Sequence, residues 1–336
     1  MGKTMRCICC GSDQLNEMDY NNYGYQLLKG DENIFNNLLI YNCHSCGFSF
    51  SYPLIDKYDL INFYNSNYSA EQMLHAVSWE DKFVYNKKRI SPRYFCQLLL
   101  IGLFKNSETI HNILEIGPGG IKGYQTFRMM GNKAKYYVFE EDSTKHDIIN
   151  KKNINILTSS NDSFFIKEYE NSFDLILMSH SLEHFQYNEI RSIIDEIYLM
   201  TAIGGVFMIE VPSDNFLTDK RDVNHSPHLC FFTKKSLKKL ISKTKFDILY
   251  MEECGLKKMN KPFSHKSSIF KQKLKKIRII YFLIRLLKSL KNLYKIIIDN
   301  IYYRINYNFD EILQSEEFKY GDNRSSIRCL LKKVQD

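Results

Sequence analysis

ILEIGPGG, residues 113–120, is an apolar run holding one carboxylate, Glu115, followed by a turn of Gly117, Pro118, Gly119 and Gly120. A short apolar run that stops at glycine reads as a buried strand. A turn almost without side chains lets backbone N–H groups come close to a ligand. The spacing is Glu115-x-Gly117-x-Gly119, not the G-x-G-x-x-G expected for a dinucleotide. No lysine of the Walker type follows, which argues against a nucleoside triphosphate.

Outward from this loop the pattern alternates. HNILEIG (111–117), KYYVFEED (135–142), INILTSS (154–160), SFDLILMSH (172–180), GGVFMIEVP (204–212), FDILYMEECG (246–255) and SSIRCLLKKV (325–334) have strand character. Helical segments lie between them: YQTFRMMGN (124–132), NEIRSIIDEIYLMTAI (188–203) and TKKSLKKLISKTK (233–245). The second of these puts Ile190, Ile193, Ile194 and Ile197 on one face. The alternation predicts an α/β fold, a Rossmann-like and mostly parallel sheet with helices on both faces and ligands at the carboxyl ends of its strands. Glu140 ends the strand after the glycine turn, with Glu141 beside it. A carboxylate there can accept hydrogen bonds from a ribose diol.

With these residues in place, residues 110–256 resemble the class I S-adenosylmethionine (SAM)-dependent methyltransferases. EIGPGG matches that family's acid-x-Gly-x-Gly loop, and Glu140 in VFEED matches its second-strand acid. FDLILMSHSLEH (173–184) matches its fourth-strand motif, and IGG (203–205) stands where PGG usually precedes the fifth strand. The resemblance implies SAM bound by Glu115, Gly117, Pro118, Gly119, Gly120, Glu140, Glu141 and His180, with Asn161 or Asp162 of SSNDSFF (159–165) at the adenine. Position 121, where the family commonly has a third glycine, is Ile121. That departure is the best support for a competing reading, a scaffold whose SAM site has decayed.

SAM carries an electrophilic methyl group, and a hydroxyl or acidic carbon acceptor also needs a base. His180, Glu183 and His184 lie at and beyond the end of the fourth strand, and His225 and His228 of HSPHLCFF (225–232) follow the fifth. Histidine titrates near neutrality, so these five residues are the catalytic candidates. A hydrogen-bonded structural role is the alternative for each, His184 above all. No defined metal motif joins them, and no catalytic metal is expected.

Residues 1–53 hold CICCGSD (7–13) and YNCHSCGFSFSYP (41–53), that is Cys7-x2-Cys10 and Cys43-x2-Cys46, each pair followed by glycine. Two such knuckles meeting form a four-sulfur tetrahedron suited to structural zinc. Cys9 and His44 are spare donors nearby. Buried thiols or a redox pair are the alternatives. Such a module ahead of this core resembles sugar methyltransferases and relatives found with surface-polysaccharide assembly. That implies a sugar-like small molecule or glycan precursor as acceptor, methylated on oxygen or carbon. Methylation of RNA or protein is the rival within the enzyme class.

The chain has 336 residues, 44% hydrophobic, enough for a large core with an appendage. Nine cysteines without a signal peptide point to a reducing cytoplasm. Residues 54–109 read as a helical linker or lid. Residues 257–322 read as a basic helical insertion before the final core strand at 323–336. Of the net charge of +8, residues 257–304 alone carry +13, which leaves −5 elsewhere. Basicity that local argues against a nucleic-acid coat. Within 271–304 the longest uncharged apolar run is six residues, 279–284, too short to span a bilayer. A membrane-surface helix, a helix pair packed on the core or on another subunit, and a grip on RNA by basic residues with interleaved Tyr are the three readings of this segment, the last without support from the other motifs.

Overall fold

The computed structural model describes residues 5–18, 34–35, 38–66, 84–85, 88–89, 91–157, 166–214, 228–254 and 326–335. First come strands β1 (Leu15–Met18), β2 (Leu39–Cys43) and β3 (Ser49–Tyr52) and helix α1 (Lys57–Ser66). A hairpin of β4 (Val84–Tyr85) and β5 (Lys88–Arg89) and helix α2 (Pro92–Phe104) follow. The alternating region is β6 (Asn112–Ile116), α3 (Lys122–Met129), β7 (Lys135–Phe139), α4 (His146–Asn150), β8 (Asn155–Leu157) and β9 (Phe173–Ser179). It continues through α5 (Ile190–Met200), β10 (Thr201–Pro212), β11 (Cys230–Phe231), α6 (Lys234–Ile241), β12 (Asp247–Cys254) and β13 (Ser326–Lys332).

Seven strands form one sheet in the order β12-β13-β10-β9-β6-β7-β8. β6 runs parallel to β7 and β9, β7 to β8, and β10 to β9, while β13 is antiparallel to β10. β6 and β9 are buried along nearly their whole length, as strands covered on both faces must be. The chain leaves β6 toward β7 and β8, then returns to the other side as β9. The carboxyl ends of β6 and β9 are therefore the switch point, where such sheets bind ligands.

The helices follow from their sequences. In α5, Ile190, Ile194 and Ile197 are fully buried and Ile193 nearly so. Each such side chain stabilises the fold by about 1.5–3 kcal/mol. Pro92 opens α2, where its fixed φ suits a first turn that needs no N–H. Thr233 caps α6 in a reciprocal box with Ser236. Among its described residues the 54–109 segment holds helices α1 and α2 and the β4–β5 hairpin, a pair of strands that the helical reading did not include.

β1, β2 and β3 form a second sheet whose fourth strand is β11, from the far side of the Rossmann region. Cys230 pairs with Phe50 and Phe231 with Ser49. Cys43, Cys46, Phe48 and Phe50 lie in one buried cluster with Met178, Ile209 and Phe232. The amino-terminal cysteine segment and the α/β region thus share a core, and residues 1–253 with 325–336 make one compact unit. The expected basic helix at 271–304, and the whole of the 257–322 insertion, lie outside the described residues. Among the described residues no helix is long and apolar enough to cross a membrane.

Candidate functional site

The glycine turn sits at the switch point. Gly117, Gly119 and Gly120 have φ of +64°, +59° and +147°, a region that disfavours side chains. Gly117 must also be small: a Cβ there would stand 2.7 Å from Ser181 Oγ. The Ser181 hydroxyl donates to Ile116 O at 3.0 Å and lies 3.1 Å from Gly117 O, pinning the turn to the end of β9. A Cβ on Gly119 or Gly120 would meet nothing within 4 Å, so the turn borders open space. Pro118, between Gly117 and Gly119, is half-buried.

Glu140 faces this turn. Its Oε2 accepts the Gly119 N–H at 2.8 Å and its Oε1 the Asp142 N–H at 3.0 Å. Burial raises its pKa, against the pull of those two N–H groups. Glu141, next along, is exposed. Glu115 is placed differently. It is 1% exposed, below the turn, and its Oε2 accepts the Tyr136 hydroxyl at 2.6 Å. Burial pushes its pKa up to about 7 although Tyr136 and Tyr94 favour the charged form. Helix α3 crosses directly over it, because a Cβ on Gly123 would stand 2.6 Å from Glu115 Oε2. Ile121 has φ −118°, which any residue adopts, and its side chain is buried. The third glycine is thus replaced by core packing, which removes the main support for a decayed loop.

The histidine and carboxylate group occupies the same edge of the sheet. His180 directly follows β9 with φ +56°, a strained value for this residue, held by its N–H donating to Glu210 O at 2.7 Å. Its ring lies between two acids, Nδ1 3.5 Å from Glu183 Oε1 and Nε2 3.5 Å from Glu210 Oε1. Glu210 is fully buried on β10 and accepts from Arg328 Nε at 2.7 Å and Gln97 Nε2 at 3.0 Å. Burial alone would raise its pKa. Arg328 first, then His180 and Arg93, hold it well below the usual carboxylate range.

Glu183 is also fully buried, yet neither carboxylate oxygen has a hydrogen-bond partner among the described residues. His228 Nε2 is 3.7 Å from its Oε1. Burial raises the Glu183 pKa to about 8. Burial also lowers that of His228, helped by the nearby His184 and His180. The His184 and His228 rings stand edge to face at 4.9 Å, and the Tyr64 hydroxyl is 3.0 Å from His184 Nδ1. His180, Glu183, His184 and His228 are therefore brought together. His225, Asn161 and Asp162 lie outside the described residues.

Glu210, Arg328, Gln97, Ser181 and Tyr64 were not singled out from sequence. Two of them had a signal: Glu210 and Arg328 interrupt apolar strands, and β10 and β13 place them directly opposite each other.

At the amino terminus the four sulfurs of Cys7, Cys10, Cys43 and Cys46 all lie within 4.8 Å of one another. Cys7 and Cys46 are 3.6 Å apart, and Cys10 and Cys43 3.5 Å. A tetrahedron with Zn–S bonds of about 2.3 Å has edges of about 3.8 Å, so the set fits such an ion. Gly11 and Gly47 take φ of +81° and +75° just after each pair. Cys9 is buried outside this set of four, and His44 is exposed.

Residues 85–250 match the protein family described as a methyltransferase domain. No curated protein matches the chain. Among solved structures, the fold is similar to Haemonchus contortus phosphoethanolamine N-methyltransferase 2 with phosphomonomethylethanolamine and S-adenosylhomocysteine. Identity is 14% and the TM-score 0.49, covering 85% of this chain and 63% of that one. It is also similar to Burkholderia thailandensis 1,6-didemethyltoxoflavin-N1-methyltransferase, at 15% identity and TM-score 0.43, covering 66% and 90% of the two chains. A SAM-dependent methyltransferase from Archaeoglobus fulgidus is similar at 16% identity and TM-score 0.39, covering 72% and 93%. This chain spans less than two thirds of the length of the first of these. The match to a methyltransferase domain over residues 85–250 falls on a Rossmann-like, mostly parallel sheet.

Proposed function

We propose that this protein transfers a methyl group from SAM to a sugar-like small molecule or glycan precursor, on oxygen or carbon. The observation that carries the reading is one sheet edge holding both an open glycine turn over Glu140 and the group of His180, Glu183, His184 and His228. SAM would supply an electrophilic methyl on its sulfonium sulfur. Glu140 accepts the ribose hydroxyls, and the N–H groups of Gly119 and Gly120 border the cofactor. Glu115 supports the turn from beneath. One histidine, His180 by its place between two acids, receives the acceptor's proton and the others orient the acceptor, with Glu210 and Arg328 fixing the His180 ring. His225 belongs to this group, and Asn161 or Asp162 to the adenine, by their place in the motifs.

Imidazole, carboxylate and the Tyr64 hydroxyl at one edge suit a polyhydroxyl acceptor, because each can bond a neutral hydroxyl. Among the described residues the arginines at this edge, Arg93 and Arg328, face Glu210 rather than forming a row of cations for a phosphate backbone. The four-cysteine site is proposed as structural zinc, since four protein ligands leave no position for water. Nine cysteines with no disulfide among them fit a reducing compartment. The test uses SAM with a labelled methyl group and a panel of nucleotide sugars, lipid-linked glycans, RNA and protein. Label should enter a sugar-containing acceptor. Label entering only RNA or protein overturns the acceptor assignment.

A further inference from the structure

A buried carboxylate normally has partners, and among the described residues Glu183 has both oxygens without a hydrogen bond. Its nearest imidazole nitrogens stand at 3.5 Å and 3.7 Å, on His180 and His228. Those distances are long for hydrogen bonds. The 3.7 Å to His228 is close to the spacing of donors that share an ion, since a tetrahedron with bonds of about 2.1 Å has edges of about 3.4 Å. One donor atom each from Glu183, His184 and His228 lie within 4.8 Å of one another. The Tyr64 hydroxyl on His184 Nδ1 is the kind of outer partner that fixes a ligand imidazole.

We propose that Glu183, His184 and His228 bind a divalent first-row cation, separate from the four-cysteine site, at the acceptor end of the domain. Two imidazoles and one carboxylate suit zinc or a neighbouring first-row ion and leave positions open for other ligands. The expectation from sequence was no such metal, because the ligands do not form a linear motif. His184 follows Glu183 directly, but His228 comes from another loop. The strand pairing brings it in: Leu229 N donates to Glu183 O at 2.8 Å, and Leu229 O accepts from Ser51 N. The open positions would take acceptor oxygens. That last step rests on the proposed acceptor class, whereas the cation site itself does not.

Metal-free protein titrated with cobalt(II) tests this without any activity assay. A tetrathiolate site gives an intense near-ultraviolet sulfur-to-cobalt band, and a histidine-carboxylate site gives none. Two cobalt ions per chain are expected in the wild type, only one of them with the sulfur band. The combined Glu183→Gln and His228→Ala variant should bind one and keep that band, which also reports that it is folded. Tyr64→Phe should weaken the second ion about 10–100-fold. A wild type that binds one cobalt ion, with the sulfur band alone, overturns the proposal. So does a folded double variant that still binds two. Neither result bears on whether SAM binds.

Discussion

Glu115 and Glu140 are both acids at strand ends, and sequence alone gave them the same task. Burial separates them. Glu115 lies under α3, and its pKa is raised from 4.5 to about 7. Below about pH 4.5 it is neutral in both folded and unfolded chains. Between 4.5 and 7 the unfolded chain loses the proton that the folded one keeps. Stability therefore falls as pH rises through this window, and the loss, on the order of 3 kcal/mol, is complete above about 7. Glu115→Gln removes this dependence, so urea unfolding at pH 5 and pH 8 should show a flatter profile than wild type. Parallel profiles would contradict the assignment. Gly123→Ala places a methyl against the same buried carboxyl, and its expected cost is about 1–3 kcal/mol by denaturation. The glycines of the turn were legible because positive φ leaves a mark in sequence. Ser181 was not, because a serine that ties two backbone segments together looks like any other.

The strands of the large sheet were legible as elements because runs buried on both faces are apolar almost throughout. Boundaries were less so. β10 begins at Thr201, directly after α5, with an irregularity between Thr201 and Val206 that contains Gly204 at φ +72°. β11 was invisible in sequence. It is two residues long, and its partner, β3, lies far away in the chain. Pairing between strands also explains the ion pair that sequence missed. Glu210 and Arg328 are opposite each other on β10 and β13, and both are buried. Arg328→Met leaves Glu210 buried without its main charge partner and should cost about 3–5 kcal/mol. Adding Glu210→Met should recover much of that loss, as denaturant midpoints of both variants can show.

On the scale of the whole molecule, the four-cysteine site belongs to the same core as the sheet. Phe48 packs on Phe232 at 5.2 Å between ring centres, and the Thr233 hydroxyl donates to Cys46 O at 2.9 Å. Metal removal by a chelator should therefore lower the melting temperature of the entire unit in one transition. Two separated calorimetric transitions, with the α/β unit unchanged, would contradict a shared core. Sequence showed the cysteine pairs clearly, but only the β3–β11 pairing shows how they are tied to the segment that carries His228.

The most direct measurement is calorimetric titration of the metal-loaded protein with SAM, beside Glu140→Ala. The wild type should bind with a Kd of about 1 μM, near −8 kcal/mol. The variant should bind at least about tenfold more weakly, a loss of about 1.4 kcal/mol or more. Absence of binding by folded wild type would contradict the methyl-transfer account, and equal affinity in the variant would contradict Glu140 as the ribose anchor.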